Sequence, residues 1–204
     1  MFNINNLIIA PVNRVMEIVK DGKANAVLTV LSKYELDELY NKKPALRESD
    51  NLPVFDYRYV SGNNFEAIEE YIKPEDWKIV QFEDYEGGKS PVELPTEQAI
   101  LEGVKFGIQK LDEGKKLLVH CQMGMSRSPA MAYLIMCHYM DPQDAANELY
   151  KIRQGIKPNL YIIRLGDDAM NLGYRALNAM VLKMQVEKEL KSTFKNQFSN
   201  SPKG

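Results

Sequence analysis

The chain has 204 residues, 45% apolar and 26% charged, with a net charge of −2. This apolar share excludes a disordered chain and suffices for one domain core, while near-neutrality argues against nucleic-acid binding through bulk charge. Two cysteines, Cys121 and Cys137, exclude a disulfide framework. The two histidines sit only in the adjacent pairs His120-Cys121 and Cys137-His138, which chelate zinc poorly, so no metal and no cofactor is expected. The N-terminus has no basic region, and its apolar stretch, Leu7 to Val12, is too short for a signal peptide or a membrane span. The expectation is a cytoplasmic protein that does not engage a membrane.

In chain order, residues 25–32 (NAVLTVLS) are short, apolar and β-branched and predict a buried strand. Ser32-Lys33-Tyr34-Glu35 has the S-x-x-E form of a capping box and predicts a helix to about Tyr40. Residues 41–52 predict a loop, 54–60 a second strand, and 64–72 a helix with Phe65, Ile68 and Ile72 on one face. Trp77 to Phe82 predicts a third strand, followed by a Gly/Pro-rich loop to Leu94. A helix is predicted over 96–111 and a very short strand over 117–119. After a turn rich in small residues come helices over 130–139, 142–153, 159–170 and 172–186. Strands alternating with helices predict an α/β fold with a short, largely parallel central sheet flanked by helices. Residues 1–182 are read as one domain. Residues 183–204, with five lysines against two glutamates, are read as a fraying helix and flexible tail.

The segment His120-Cys121-Gln122-Met123-Gly124-Met125-Ser126-Arg127-Ser128 lies between a predicted strand and a predicted helix. A short loop ending at a helix N-terminus directs several backbone N–H groups inward, and the helix dipole adds positive potential. Gly124 permits the backbone angles of a tight cradle. Gln122, Met123, Gly124, Met125, Ser126 and Arg127 thus predict a nest for a tetrahedral oxyanion. The same field stabilises a thiolate on Cys121. Arg127 can pair two phosphate oxygens through its planar fork. In-line attack by Cys121 gives a phosphocysteine, and Ser128 can hydrogen-bond the sulfur when it departs.

These residues match the H-C-x5-R-S/T signature, and the chain resembles the cysteine-dependent protein phosphatases, most of all the dual-specificity group. Lys157-Pro158-Asn159 and Leu165-Gly166-Asp167-Asp168 add a likeness to bacterial tyrosine-phosphatase-like proteins. The resemblance implies a general acid on a loop upstream of the cysteine. Asp84 precedes Cys121 by 37 residues and opens the Gly/Pro-rich loop, with Glu83 and Glu86 as competitors. It also implies that His120 orients the loop without transferring protons, and that Asn159 bonds the loop, although an N-cap role suits Asn159 as well. Cys137 lies about 15 Å along its helix from Arg127 and is read as core packing. Met123 and Met125 rim the pocket or pack. Tyr34, Tyr57 and Tyr59 stack an aryl phosphate or fill the core.

The function expected is a phosphoester hydrolase acting on phosphoprotein as a tyrosine or dual-specificity phosphatase. Two alternatives stay open: a phosphatase of nucleotides, RNA 5′ ends or phosphoinositides, and a phosphate-binding module without turnover. The neutral side chains at 122–126 argue mildly against RNA and inositide.

Overall fold

The computed structural model describes residues 3–39, 65–86 and 93–199. The predicted strand over 54–60, with Tyr57 and Tyr59, the loop over 41–52 and residues 200–204 lie outside the described residues. Four short strands carry the sheet: β1 (Leu7–Pro11), β2 (Ala26–Leu31), β3 (Trp77–Gln81) and β4 (Leu117–Cys121). They run in the order β1-β4-β2-β3, with all three pairings parallel. The helices are α1 (Val15–Lys20), α2 (Lys33–Leu39), α3 (Glu97–Asp112), α4 (Arg127–Tyr139), α5 (Pro142–Ile152), α6 (Leu160–Ala169) and α7 (Arg175–Ser199).

One strand was not expected. Leu7–Pro11 is short and ends in proline, and it lies at the sheet edge, where a missing N–H does not break a ladder. The helix expected over 64–72 is a 3-10 turn, Phe65–Glu70, with Ile68 and Ile72 buried beside it. The last helix runs on to Ser199.

Both faces of the sheet are covered, which is why β2 and β4 are buried at every position. Alternate residues enter different cores. Leu28, Val30, Leu117 and Val119 face the larger core with α3 to α7. Val27, Leu31 and Leu118 face a smaller core with α1 and the turn at Ile68. At the centre of the larger core α4 is buried at every position from Arg127 to Cys137. A helix apolar on all sides needs neighbours on all sides. Gly166 of α6 allows one of these contacts, because a Cβ there would lie 2.3 Å from Leu134 Cδ1. Its neighbour Asp167 is fully buried and accepts the backbone N–H groups of Tyr174 (2.7 Å) and Leu177 (2.9 Å), closing the turn into α7. The Leu165–Asp168 segment is therefore a packing and capping element.

At the N-terminal end of β3, Asp76 is buried against Lys110 (3.2 Å) and Lys115. At the opposite end the chain leaves all four parallel strands on one side of the sheet. Parallel α/β sheets place ligands outside these carboxyl ends.

Candidate active site

The loop after β4 is shaped from outside. Val12 N–H donates to Gln122 O (3.2 Å), Lys157 N–H to Met125 O (2.9 Å), and Asn159 N–H to Ser126 O (3.2 Å). The Arg153 guanidinium reaches Met123 O at 3.5 Å and Ile9 O at 3.3 Å. In a planar trans peptide each carbonyl is antiparallel to the next N–H. Carbonyls held outward therefore turn the N–H groups of Met123, Gly124, Ser126 and Arg127 inward. Gly124 N–H does point in, to Cys121 Sγ at 3.2 Å. Gly124 itself has φ +65°, and a Cβ there would lie 2.6 Å from the backbone of Ala10 and Pro11. Only glycine fits on both counts.

Cys121 ends β4 and is buried, with Ser128 Oγ donating to its sulfur at 3.2 Å. Arg127 opens α4, and its guanidinium is 4% exposed. Glu35 grips it from both sides: NH1 to Oε2 and NH2 to Oε1, each 2.6 Å. NH1 also donates to Phe82 O at 3.2 Å. Among the described residues, the buried Arg127 Nε has no acceptor. A fixed cation with Nε–H and a second NH2 hydrogen left over, beside a row of inward N–H groups, is complementary to an oxyanion.

Glu35 was expected only as a capping residue, and that role holds. Ser32 N–H donates to Glu35 Oε2 (2.7 Å) and Glu35 N–H to Ser32 Oγ (3.3 Å). Its grip on Arg127 was not legible, because the partners are 92 residues apart. Burial acts to raise the Glu35 pKa, but the bonds and charge of Arg127 and the Ser32 bonds outweigh it and hold it below the ordinary value. Burial likewise disfavours the Arg127 charge, and Glu35 more than offsets this, keeping that pKa raised.

Asp84 follows β3 and reaches the loop. Its Oδ1 accepts both Ser126 Oγ–H and Asn159 Nδ2–H, each at 2.7 Å. Ser126 is the N-cap position of α4 but makes no side-chain cap bond, so its hydroxyl is committed to Asp84. The Asn159 side chain has two duties, one the expected N-cap and the other a grip on the Asp84 segment in place of the phosphate-binding loop. Its Oδ1 caps α6 by accepting Ile162 N–H (3.0 Å), while its Nδ2 holds Asp84 and the Tyr85 carbonyl (2.9 Å). The competitor Glu86 pairs instead with Lys157 (2.9 Å), and Glu83 N–H donates to Glu93 O (2.9 Å).

The family model of the dual specificity phosphatase catalytic domain matches residues 61–165. The chain belongs to this family. The human phosphatidylglycerophosphatase and protein-tyrosine phosphatase 1 is 38% identical over 65 residues, which is 31% of this chain and 32% of that protein. Tyrosine-protein phosphatase MSG5 of Saccharomyces cerevisiae is 42% identical over 53 residues, 25% of this chain and 11% of that protein. The matched segments span about a third or less of these relatives' length. The crystal structure of PTPMT1 superposes with a TM-score of 0.53 at 18% identity, covering 89% of this chain and 98% of that one. The human tyrosine phosphatase-like serine/threonine/tyrosine-interacting protein gives 0.52 at 16% identity, covering 84% and 96%. Both share the fold.

Within this family fold, Cys121, Ser128, Arg127, Asp84 and Asn159 converge on one loop. Met123 and Met125 are exposed on its rim, and Gln122 is half-buried. His120 is fully buried, and burial, with the charge of Arg127 adding to it, lowers its pKa to about 3 against the pull of a backbone hydrogen bond to Cys121. Its ring is neutral at physiological pH. Cys137 stands apart in the large core, where burial raises its thiol pKa to about 12. Glu35 and Arg153 are the site residues that sequence reasoning missed. The S-x-x-E pattern marked Glu35, but for a different role. Among the described residues no helix is long and apolar enough to cross a membrane.

Proposed function

We propose that this protein is a metal-independent, cysteine-dependent phosphatase of phosphoproteins, phosphotyrosine included. The observation that carries the reading is the buried Arg127 guanidinium, locked by Glu35 with Nε open, beside inward loop N–H groups and a sulfur that already accepts two hydrogen bonds. In the proposed sequence the Cys121 thiolate attacks phosphorus and the P–O bond to the leaving group breaks, while Asp84 protonates the departing oxygen. Arg127 and the loop amides bind the equatorial oxygens, supplying the positive charge that a metal supplies elsewhere. Water then attacks the phosphocysteine and Asp84 takes its proton. The S–P bond breaks, and the Ser128 hydroxyl stabilises the returning thiolate. Dependence on a reduced Cys121 suits a cytoplasmic setting. The neutral 122–126 side chains favour a peptide over a polyanionic substrate.

The test is a parallel assay on phosphopeptides, nucleotides, RNA 5′-triphosphate and phosphatidylglycerophosphate, with and without a chelator. Cys121→Ser should lose all measurable turnover yet still bind phosphate. Asp84→Ala should slow phenyl phosphate by about 100-fold or more, and a nitrophenyl ester much less. Hydrolysis by Cys121→Ser, or loss of activity with chelator, contradicts the mechanism. A preference for the lipid ester moves the substrate class.

A further inference from the structure

We propose that Thr29 and Trp77 are positioning residues for the nucleophile, acting through His120 on the first peptide of the phosphate-binding loop. The consequence for turnover rests on the phosphatase reading above, whereas the geometry stands without it.

Thr29 of β2 and His120 of β4 are register partners, and both are fully buried. Thr29 Oγ1 lies 2.8 Å from His120 Nε2. From the next strand, Trp77 Nε1 donates to Thr29 Oγ1 at 3.0 Å. Trp77 pairs with Val27, two residues before Thr29, so it projects from the same face of the sheet. The three side chains thus form a line across β3, β2 and β4 that ends beneath Cys121. A polar line through a dry core is retained at a desolvation penalty unless every member is bonded.

Chemistry fixes the direction of the line. An indole N–H can only donate, so Thr29 Oγ1 accepts there and keeps its own proton to give. His120 is a neutral ring with one N–H. Among the described residues, His120 Nε2 is the acceptor that the structure gives the buried Thr29 hydroxyl proton. This assigns the proton to Nδ1 and leaves Nε2 to accept from the Thr29 hydroxyl. Each donor in the line therefore points toward the strand that carries Cys121: indole to hydroxyl, and hydroxyl to ring Nε2, with the ring's own N–H on the Nδ1 side. Aligned hydrogen bonds of this kind polarise one another. The line ends at His120, whose peptide bond to Cys121 leads into the phosphate-binding loop. Removing the hydroxyl frees the ring to rotate or change tautomer and loosens that peptide. The thiolate then loses part of the field that stabilises it.

The charged groups around Cys121 are Arg127 of α4 and Arg153 just past α5, with Asp84 and Glu35 facing Arg127. None of them is altered by substitution at Thr29 or Trp77. The experiment is the pH dependence of Cys121 alkylation by iodoacetamide, read by mass spectrometry of the Cys121 peptide and needing no substrate. Thr29→Val should move the midpoint upward by about half a pH unit or more, with kcat falling more than KM changes. Thr29→Ser, which keeps the hydroxyl, should match the parent protein, and Trp77→Phe should shift in the same direction by less. An unmoved midpoint in Thr29→Val, or an equal shift in Thr29→Ser, overturns the proposal. If Thr29→Val does not fold, an unmoved midpoint in Trp77→Phe overturns it. If the midpoints shift while the parent protein hydrolyses no phosphoester, the phosphatase reading fails and this one stands.

Discussion

Glu35 serves two structures with one carboxylate. Oε2 takes both the Ser32 N–H that opens α2 and one arm of Arg127, while Oε1 takes the other arm. The side chains are 17% and 4% exposed, so this is a buried ion pair, and removing one partner strands the other charge. Glu35→Ala should lower stability by about 3 kcal/mol in urea unfolding, and should lower kcat/KM because the freed guanidinium no longer holds Nε toward the loop. Glu35→Asp is a sharper probe. Its side chain is one methylene shorter and cannot reach both Arg127 and Ser32 N–H, so activity should fall even where the fold survives. Unchanged kcat/KM in both variants would show that the loop amides, and not the aim of Arg127, organise the anion. Asn159 is a second case of divided duty, since its amide nitrogen holds Asp84 and its oxygen caps α6.

At the scale of elements, the loop from Gln122 to Ser126 is held by chain segments distant in sequence. Val12 follows β1, Arg153 follows α5, and Lys157 and Asn159 lie between α5 and α6. Edge strand β1 therefore serves as a backstop: its Ala10–Pro11 peptide lies where any side chain at position 124 would have to go. Gly124→Ala must move that backbone and adopt φ near +65° with a Cβ. The expected result is loss of vanadate binding and of phosphatase activity together, with a destabilisation of about 2 kcal/mol or more in thermal unfolding. Intact vanadate binding in this variant would mean that β1 yields and the cradle is not set by it. This is also why β1 escaped the sequence reading. Its proline argues against a strand, and its partner β4 is about a hundred residues away.

For the whole molecule, acid stability should carry the mark of the site. The unfolded chain binds a proton at His120 below the ordinary pKa of 6.5, while the folded protein resists it down to about 3. Unfolded chains thus hold more protons across that window, and stability falls as pH falls through it. Glu35 adds the same sign below its ordinary value of 4.5, since its folded pKa is lowered. Urea unfolding should therefore lose about 1.4 kcal/mol per pH unit from His120 alone between pH 6 and 4.5, and fall more steeply below. A flat profile above pH 4.5 would contradict a neutral, buried His120. Local pattern was enough to mark Cys121, Arg127 and the loop between them as one candidate site in the 120–128 segment. The cradle lies within a few residues of a strand end and a helix start, so its geometry is set by neighbours in sequence. The same holds for the capping box at Ser32 and for the α/β alternation. What aims Arg127, what seats Asp84 and what braces His120 was decided only by the parallel sheet. It brings the carboxyl ends of β1, β2, β3 and β4 together, where Glu35 meets Arg127, and its register sets Trp77, Thr29 and His120 side by side; these polar contacts join residues dozens of positions apart and leave no periodic trace in sequence.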